Sequence, residues 1–135
     1  MQADNSLPFV SPGALWTGRF LSILPALFLL LDAAMKLVKP AFVVQATTQL
    51  GFSEQVILPL GITLLLCTAL YLVPPTAVLG AILLTGYLGG AVAMHVHGGD
   101  GAFAILFPVL FGALLWGGLV LRDRRLRALV VWRSA

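Results

Sequence analysis

Four long apolar runs dominate the pattern of hydrophobic and polar positions along the chain. They cover approximately residues 17–35, 55–72, 76–96 and 103–121. Each run is close to the length of about 20 residues that a helix needs to cross the hydrocarbon core of a bilayer. A lipid-facing strand would alternate apolar and polar residues, and these runs do not. Because helices satisfy their own backbone groups in lipid, the pattern predicts an all-α, four-transmembrane-helix up-down bundle.

The connections between the runs indicate the topology and the domain organisation. Only "VPPT", residues 73–76, separates the second run from the third, and so short a link requires an antiparallel hairpin. The longer link over residues 36–54 is amphipathic enough to lie along the membrane interface. We expect an N-terminal cytoplasmic or interfacial segment (1–16), a transmembrane domain (17–121) and a basic cytoplasmic tail (122–135).

The distribution of basic residues predicts the orientation. Five of the eight Lys and Arg residues follow residue 121, and Arg19 lies on their side of the membrane, whereas Lys36 and Lys39 lie on the other. Basic residues collect on the cytoplasmic side, so we expect both termini to be cytoplasmic. The segment before the first run lacks the basic region of a signal peptide, and we expect no cleavage there.

Composition adds that lipid surrounds most of the molecule. The chain is 60% hydrophobic and 10% charged, whereas a soluble domain carries about 25% charged residues. Its single cysteine, Cys67, excludes an internal disulfide and a dithiol redox pair. A basic tail directly after a membrane span indicates contact with anionic lipid and not with nucleic acid.

Small residues are frequent in the third and fourth runs. Gly86 and Gly90 have GxxxG spacing in the third run, and the fourth contains Gly112, Gly117 and Gly118. Such residues let helix backbones approach each other closely in lipid. We expect them to pack inside the bundle, and a homodimer contact is the alternative.

Asp32 and Lys36 are polar residues inside or beside the first apolar run. If the first helix enters the membrane near Thr17, Asp32 lies about 22 Å along it, below the outer surface. Lys36 follows four residues later on the same helix face, in the favourable order of acid before base. Two interpretations stay open: a structural ion pair, or a carboxylate that handles protons or binds a headgroup.

The two histidines near the outer end of the third run are not expected to act together. His95 and His97 are two residues apart, so on a helix their side chains point in nearly opposite directions and cannot hold one metal ion. We therefore predict no metal site. His95 should lie level with Asp32 and Glu54, and we expect it to hydrogen-bond to one of them, whereas Asp100 suits the following turn.

The remaining polar residues extend the same outer group. Gln49 lies in the outer link, Glu54 lies at the mouth of the second run, and Tyr87 lies about 12 Å deeper than His95 along the third helix. The cytoplasmic half of the predicted bundle is apolar and is followed by arginines. This asymmetry indicates a shallow site that opens to the outer leaflet and not a continuous pore. The candidate ligand-binding residues are Asp32, Lys36, His95, Tyr87, Glu54 and Gln49.

Three stretches of the chain closely resemble the DoxX-like family of small four-helix membrane proteins. They are "LLLDAAMKLVKP" at 29–40, "LLLCTALYLVPPTAVLGAILLTGYLGGAVAMHV" at 64–96 and "FPVLFGALLWGGLVLRDRRLRAL" at 107–129. The resemblance covers nearly everything after residue 15, and "TAVLGAILLTGYLGGAVA" followed by a histidine is its most specific part. The family carries Thr-His-Val-Arg where this chain has Met94-His95-Val96-His97, so His95 matches the family pattern and His97 departs from it.

The resemblance implies an integral inner-membrane protein of bacterial type. Family relatives include small subunits of thiosulfate:quinone oxidoreductases and components of membrane redox-stress complexes. No electron carrier or resident cofactor is evident in the chain, so we expect an accessory component of a membrane redox system that is not catalytic alone. It would bind a quinone-like molecule near the outer leaflet and work with a redox partner or a second copy of itself.

Two other functions are compatible with the sequence. One is a small dimeric proton-coupled transporter built around a membrane carboxylate. Asp32 lies toward the outer end of its run and is matched by Lys36, which disfavours that function. The other is a purely structural or assembly protein of the membrane.

Overall fold

The computed structural model describes residues 10–130, and this part of the chain is helical with no strand. Short 3₁₀ turns, Glu54–Val56 and Pro74–Thr76, precede the third and fourth α-helices. The α-helices are α1 (Pro12–Val38), α2 (Ala41–Gln49), α3 (Ile57–Leu72), α4 (Ala77–Gly98), α5 (Ala102–Arg122) and α6 (Arg124–Val130). The predicted all-α class is confirmed.

Four of these elements are long and apolar enough to cross a membrane. They are α1, α3 with its preceding turn, α4 and α5, and their mean hydropathies lie between 1.9 and 2.3. Helix α1 packs against α3 and α5, and α4 packs against the same two helices, so the four close into a ring. The four-helix transmembrane bundle is therefore confirmed.

The two ends of the bundle differ, and we name them by the segments they carry. The loop end carries residues 39–56, which include α2, and the α4–α5 turn at residues 98–101. The tail end carries the start of α1, the turn at residues 73–76 and α6. Residues 1–9 of the predicted N-terminal segment and Arg133 of the predicted tail lie outside the described residues.

Local signals explain where the long helices begin and end. Helix α1 starts at Pro12, earlier than the apolar run, because Ser11 caps it by accepting a hydrogen bond from the Ala14 amide at 3.2 Å. Its C-cap residue is Lys39, which adopts a left-handed conformation (φ 54°) directly before Pro40. The C-cap residue of α4 is Gly99, whose φ of 70° suits a residue without a Cβ.

The GxxxG pair of α4, Gly86 and Gly90, does not pack as the sequence predicts. A Cβ added at Gly86 or Gly90 would meet nothing within 4 Å, and both residues are exposed on the outside of the bundle. The expectation of packing inside the bundle is therefore wrong for this pair, and the homodimer alternative stays a prediction. Helices approach closely at other glycines, for example where Gly118 of α5 meets α1, since a Cβ there would lie 2.8 Å from the carbonyl oxygen of Gly18.

The tail-end half of the bundle contains a buried polar contact between three helices. The Tyr71 hydroxyl of α3 donates to the carbonyl oxygen of Leu115 in α5 at 2.7 Å and also hydrogen-bonds to Oγ of Ser22 in α1, 2.9 Å away. Tyr71 and Ser22 are 0% and 1% exposed. The expectation that this half is purely apolar is therefore wrong, because hydroxyl groups there satisfy one another across the helices.

Candidate functional site

The ion pair between Asp32 and Lys36 is the main charged feature within the transmembrane part of α1. Nζ of Lys36 lies 2.6 Å from both carboxylate oxygens of Asp32. The side chains of Lys36 and Asp32 are 15% and 31% exposed. Asp32 lies about 9 Å before the end of the helix at Val38, at a rise of 1.5 Å per residue. A carboxylate at this depth is costly alone, and Lys36 supplies the compensating charge.

Contacts with α3 hold Lys36 at the inner side of α1. The helical period places Lys36 on the same face as Leu29 and Ala33, which are 4% and 0% exposed. A Cβ added at Gly61 of α3 would lie only 2.8 Å from the Cβ of Lys36. The absence of a side chain at Gly61 therefore lets α3 pass close to α1 at the level of the ion pair, so the pair faces the bundle.

Tyr87 lies on α4, the helix diagonally opposite α1 in the ring. Its side chain is half-buried and packs against the core. Within residues 10–130 the Tyr87 hydroxyl makes no hydrogen bond. Three predicted residues, Asp32, Lys36 and Tyr87, are therefore at least partly buried in the bundle, but no hydrogen bond joins Tyr87 to the ion pair.

His95 does not pair as the sequence predicts. Its Nδ1 lies 2.6 Å from the Oδ2 atom of Asp100, so its partner is the aspartate of the α4–α5 turn. The expected hydrogen bond to Asp32 or Glu54 is wrong, because the αL turn at Gly99 folds Asp100 back over the last turn of α4. His97 is exposed in that same helical turn.

The other two predicted residues lie at the surface of the loop end. Gln49 is the last residue of α2 and Glu54 begins the 3₁₀ turn before α3, and both are exposed. In the described part of the chain neither hydrogen-bonds to Asp32, Lys36 or Tyr87. The predicted set of six thus divides into an interior group of three, a separate histidine–aspartate pair and two surface residues.

The structure also shows an apolar groove between α4 and α5 that the sequence did not reveal. It has a volume of about 340 Å³ and is lined by Leu88, Val92, Pro108 and their neighbours. The Trp116 indole nitrogen donates to the Thr85 hydroxyl at 2.7 Å, so the polar atoms of these two residues are satisfied. The groove can therefore accommodate a hydrocarbon chain.

A second unpredicted feature is an arginine-lined cavity of about 610 Å³ at the tail end. The start of α1, the end of α5 and the turn before α4 form this cavity together with the first residues of α6. Its charged lining residues are Arg19, Arg122, Asp123, Arg124 and Arg125. The sequence did show the run of arginines, but it could not show that they would line an open cavity with the start of α1 and the turn before α4.

The chemistry available in the interior group is hydrogen bonding and proton exchange. Lys36 is a donor, Asp32 is an acceptor, and the Tyr87 hydroxyl is both. Among residues 10–130, no three His, Cys, Asp or Glu side chains gather in a way that could hold a metal ion. Cys67 is a buried free cysteine. The group is thus suited to recognising a polar head with carbonyl or hydroxyl oxygens.

The sequence of this chain matches a known protein family. A family model described as the DoxX-like family matches residues 20–118, which include the ion pair, Tyr87, the hairpin and most of α5. No curated protein and no solved structure matches the chain significantly. The match covers well over half of the 135 residues and agrees with the four-helix membrane architecture. The chain therefore belongs to the DoxX-like family.

Proposed function

We propose that this multi-pass membrane protein is an accessory component of a quinone-linked redox system, and that it binds a lipophilic ligand with a quinone-like head. The observation that carries the proposal is the Asp32–Lys36 pair, which faces the bundle about 9 Å before the end of α1, with the half-buried Tyr87 on α4. Ionisable residues inside a membrane bundle are costly to place there and commonly mark ligand or proton pathways.

The head of a quinone matches the groups of the site. In this proposal the Lys36 ammonium donates to a quinone carbonyl oxygen, and the Asp32 carboxylate accepts from the hydroxyl of the reduced form. The Tyr87 hydroxyl serves either form, because it can donate or accept. The chain itself supplies no redox centre in this proposal, so electrons pass between the ligand and a partner protein.

The ion pair also bears on the transporter alternative. Lys36 contacts both oxygens of Asp32, so the carboxylate is already compensated and does not stand as an isolated proton carrier. Binding and positioning of a ligand fit this arrangement better than proton-driven transport. We further propose the bacterial inner membrane as the location, with the tail end in the cytoplasm, on the basis of the basic residues at that end.

The test replaces the charged pair as a unit. Purified protein in detergent is titrated with a short-chain quinone analogue, and the wild type is compared with the double variant Asp32→Leu/Lys36→Leu. Replacing both partners by apolar residues leaves no unpaired charge, so the variant should fold with unchanged helicity. We expect it to bind the analogue at least about tenfold more weakly, since hydrogen bonds to charged groups contribute about 1.5–3 kcal/mol each.

Two matched histidine variants test whether His95 belongs to the site. His95→Ala and His97→Ala remove the same side chain from positions two residues apart, one held by Asp100 and one exposed. If His95 lies at the rim of the ligand, only the first variant lowers affinity. Equal affinities in both would remove His95 from the site, and a folded double-leucine variant with wild-type affinity would refute the proposal itself.

A further inference from the structure

The arginine-lined cavity at the tail end lies at the other end of the bundle from the ion pair and is independent of the proposed quinone site. Four arginines and one aspartate line it, so positive charges outnumber negative charges by three. Its volume of about 610 Å³ falls within the range of about 300–1,000 Å³ typical of small-molecule sites. The charge and the size together favour an anionic ligand.

Arg122 lines this cavity and has buried hydrogen-bond donors. It is the last residue of α5, and its guanidinium lies over the Tyr71 ring, 5.3 Å from the ring centroid. Its Nε and Nη2 atoms are buried and make no hydrogen bond within the described residues. These two donors lie on one edge of the guanidinium, which is the edge that forms paired hydrogen bonds with carboxylate or phosphate oxygens.

The neighbouring charges differ in how far they are already engaged. Asp123 is occupied in capping α6, since its Oδ1 accepts hydrogen bonds from the amides of Arg125 and Leu126 at 2.9 and 3.1 Å. The Arg19 guanidinium lies 5.4 Å from the centre of the Trp16 ring at the start of α1. The aspartate that lines the cavity is therefore held by backbone donors and does not pair with Arg122.

The depth of the cavity agrees with the level of phospholipid headgroups. Helix α5 has 21 residues, and at 1.5 Å per residue its length of about 32 Å matches the hydrocarbon thickness of about 30 Å. Arg122 therefore stands at the boundary between hydrocarbon and headgroups. Leu15, Ala77 and Leu119 form an apolar side of the same cavity, which suits a ligand with both a phosphate and an adjoining hydrocarbon part.

We infer that this cavity is a binding site for a phosphate group, carried by an anionic phospholipid or by a free phosphate compound. The ligand's oxygens accept hydrogen bonds from Nε and Nη2 of Arg122 after a small rotation of the guanidinium toward the cavity. Arg19 and Arg125 supply further positive charge at the rim. Bound lipid of this kind would fasten the ends of α1 and α5 to the membrane surface.

The experiment separates the two sources of phosphate. The full chain in neutral detergent is titrated with short-chain phosphatidylglycerol, with short-chain phosphatidylcholine and with inorganic phosphate, and adducts are quantified by native mass spectrometry. We expect phosphatidylglycerol to bind more tightly than phosphatidylcholine. If inorganic phosphate competes with it at similar concentration, the free anion is the ligand; if not, the lipid is.

Single-residue variants test whether Arg122 binds the phosphate group. Arg122→Gln should weaken binding about tenfold or more, because it removes two charge-assisted hydrogen bonds. Arg122→Lys keeps the charge but not the paired donors and should bind with intermediate affinity. The matched control is Lys39→Gln, which removes one positive charge at the loop end and should bind as the wild type does.

Two results would overturn the inference. One is that neither phosphatidylglycerol nor phosphate forms adducts with the wild type. The other is that Arg122→Gln and Lys39→Gln bind equally. If Arg122→Gln does not fold, the exposed rim variants Arg19→Gln and Arg125→Gln decide the matter, since both keep the α5–Tyr71 contact and both should weaken binding.

Discussion

Replacing Gly80 by alanine adds a methyl group where α4 lies directly against the backbone of α3. A Cβ at this position would lie 2.5 Å from the Cα atom of Tyr71 and 2.7 Å from the carbonyl carbon of Leu70. These are backbone atoms, so no side chain can move aside. Carbon atoms are in favourable contact at about 3.5–4.0 Å, and the two helices must therefore separate by about 1 Å.

Two destabilising contributions and one stabilising contribution determine the energetic cost of this separation. Overpacking of this kind costs about 1–3 kcal/mol, and the shift also disturbs the Tyr71 hydrogen bonds to Ser22 and Leu115, each contributing about 1 kcal/mol. The higher helix propensity of alanine returns about 1 kcal/mol. We expect Gly80→Ala to lower the free energy of unfolding by about 2–4 kcal/mol, the balance of these contributions.

Gly86→Ala is the matched control, since it makes the same chemical change on the same helix. A Cβ at Gly86 meets nothing within 4 Å, so the substitution should leave the stability unchanged or raise it by up to about 1 kcal/mol. Both variants are unfolded in mixed micelles with increasing mole fractions of denaturing detergent and followed by circular dichroism. Equal unfolding free energies for the two variants would refute the packing described for α3 and α4.

Two further predictions concern the tail end. Tyr71→Phe should lower the free energy of unfolding by about 1–2 kcal/mol, because it removes the hydroxyl that joins α1, α3 and α5; an unchanged unfolding curve would contradict this role. Asp123→Ala should remove the cap of α6, costing about 1 kcal/mol, and should speed hydrogen exchange at the amides of Arg125 and Leu126, which the carboxylate engages. Unaltered exchange at these amides would show that Asp123 does not cap α6.

The sequence predicted the spans and the ion pair well because both are local features. Apolar length alone defines a membrane helix, and Asp32 and Lys36 are four residues apart on one helix. Tyr71 and Ser22, by contrast, are separated by 49 positions and meet only when α1 and α3 pack. Depth along the helices predicted Asp32 or Glu54 as the hydrogen-bond partner of His95. The turn at Gly99 places Asp100 beside His95 instead, and Asp100 is its partner.

The orientation of the glycines was not predictable for a different reason. In a soluble helix the polar face identifies the side that meets solvent, but here the lipid-facing and the core-facing sides of α4 are both apolar. Gly80 and Gly86 look alike in the sequence, yet one touches the backbone of α3 and the other faces outward. The arginine-lined cavity was not predictable from the sequence either, since it forms where the start of α1 and the end of α5, which are distant in the chain, lie side by side.

The most direct test of the central claim compares two tyrosines. Tyr87→Phe and Tyr71→Phe each remove one phenolic hydroxyl, one from the half-buried tyrosine in the middle of α4 and the other from the tyrosine buried at the tail end. The measurement is the Kd of a short-chain quinone analogue for the wild type and both variants. We predict that Tyr87→Phe raises the Kd about fivefold, as the loss of one hydrogen bond of about 1 kcal/mol requires, while Tyr71→Phe leaves it unchanged. Equal Kd values for all three proteins would contradict a ligand site at Asp32, Lys36 and Tyr87.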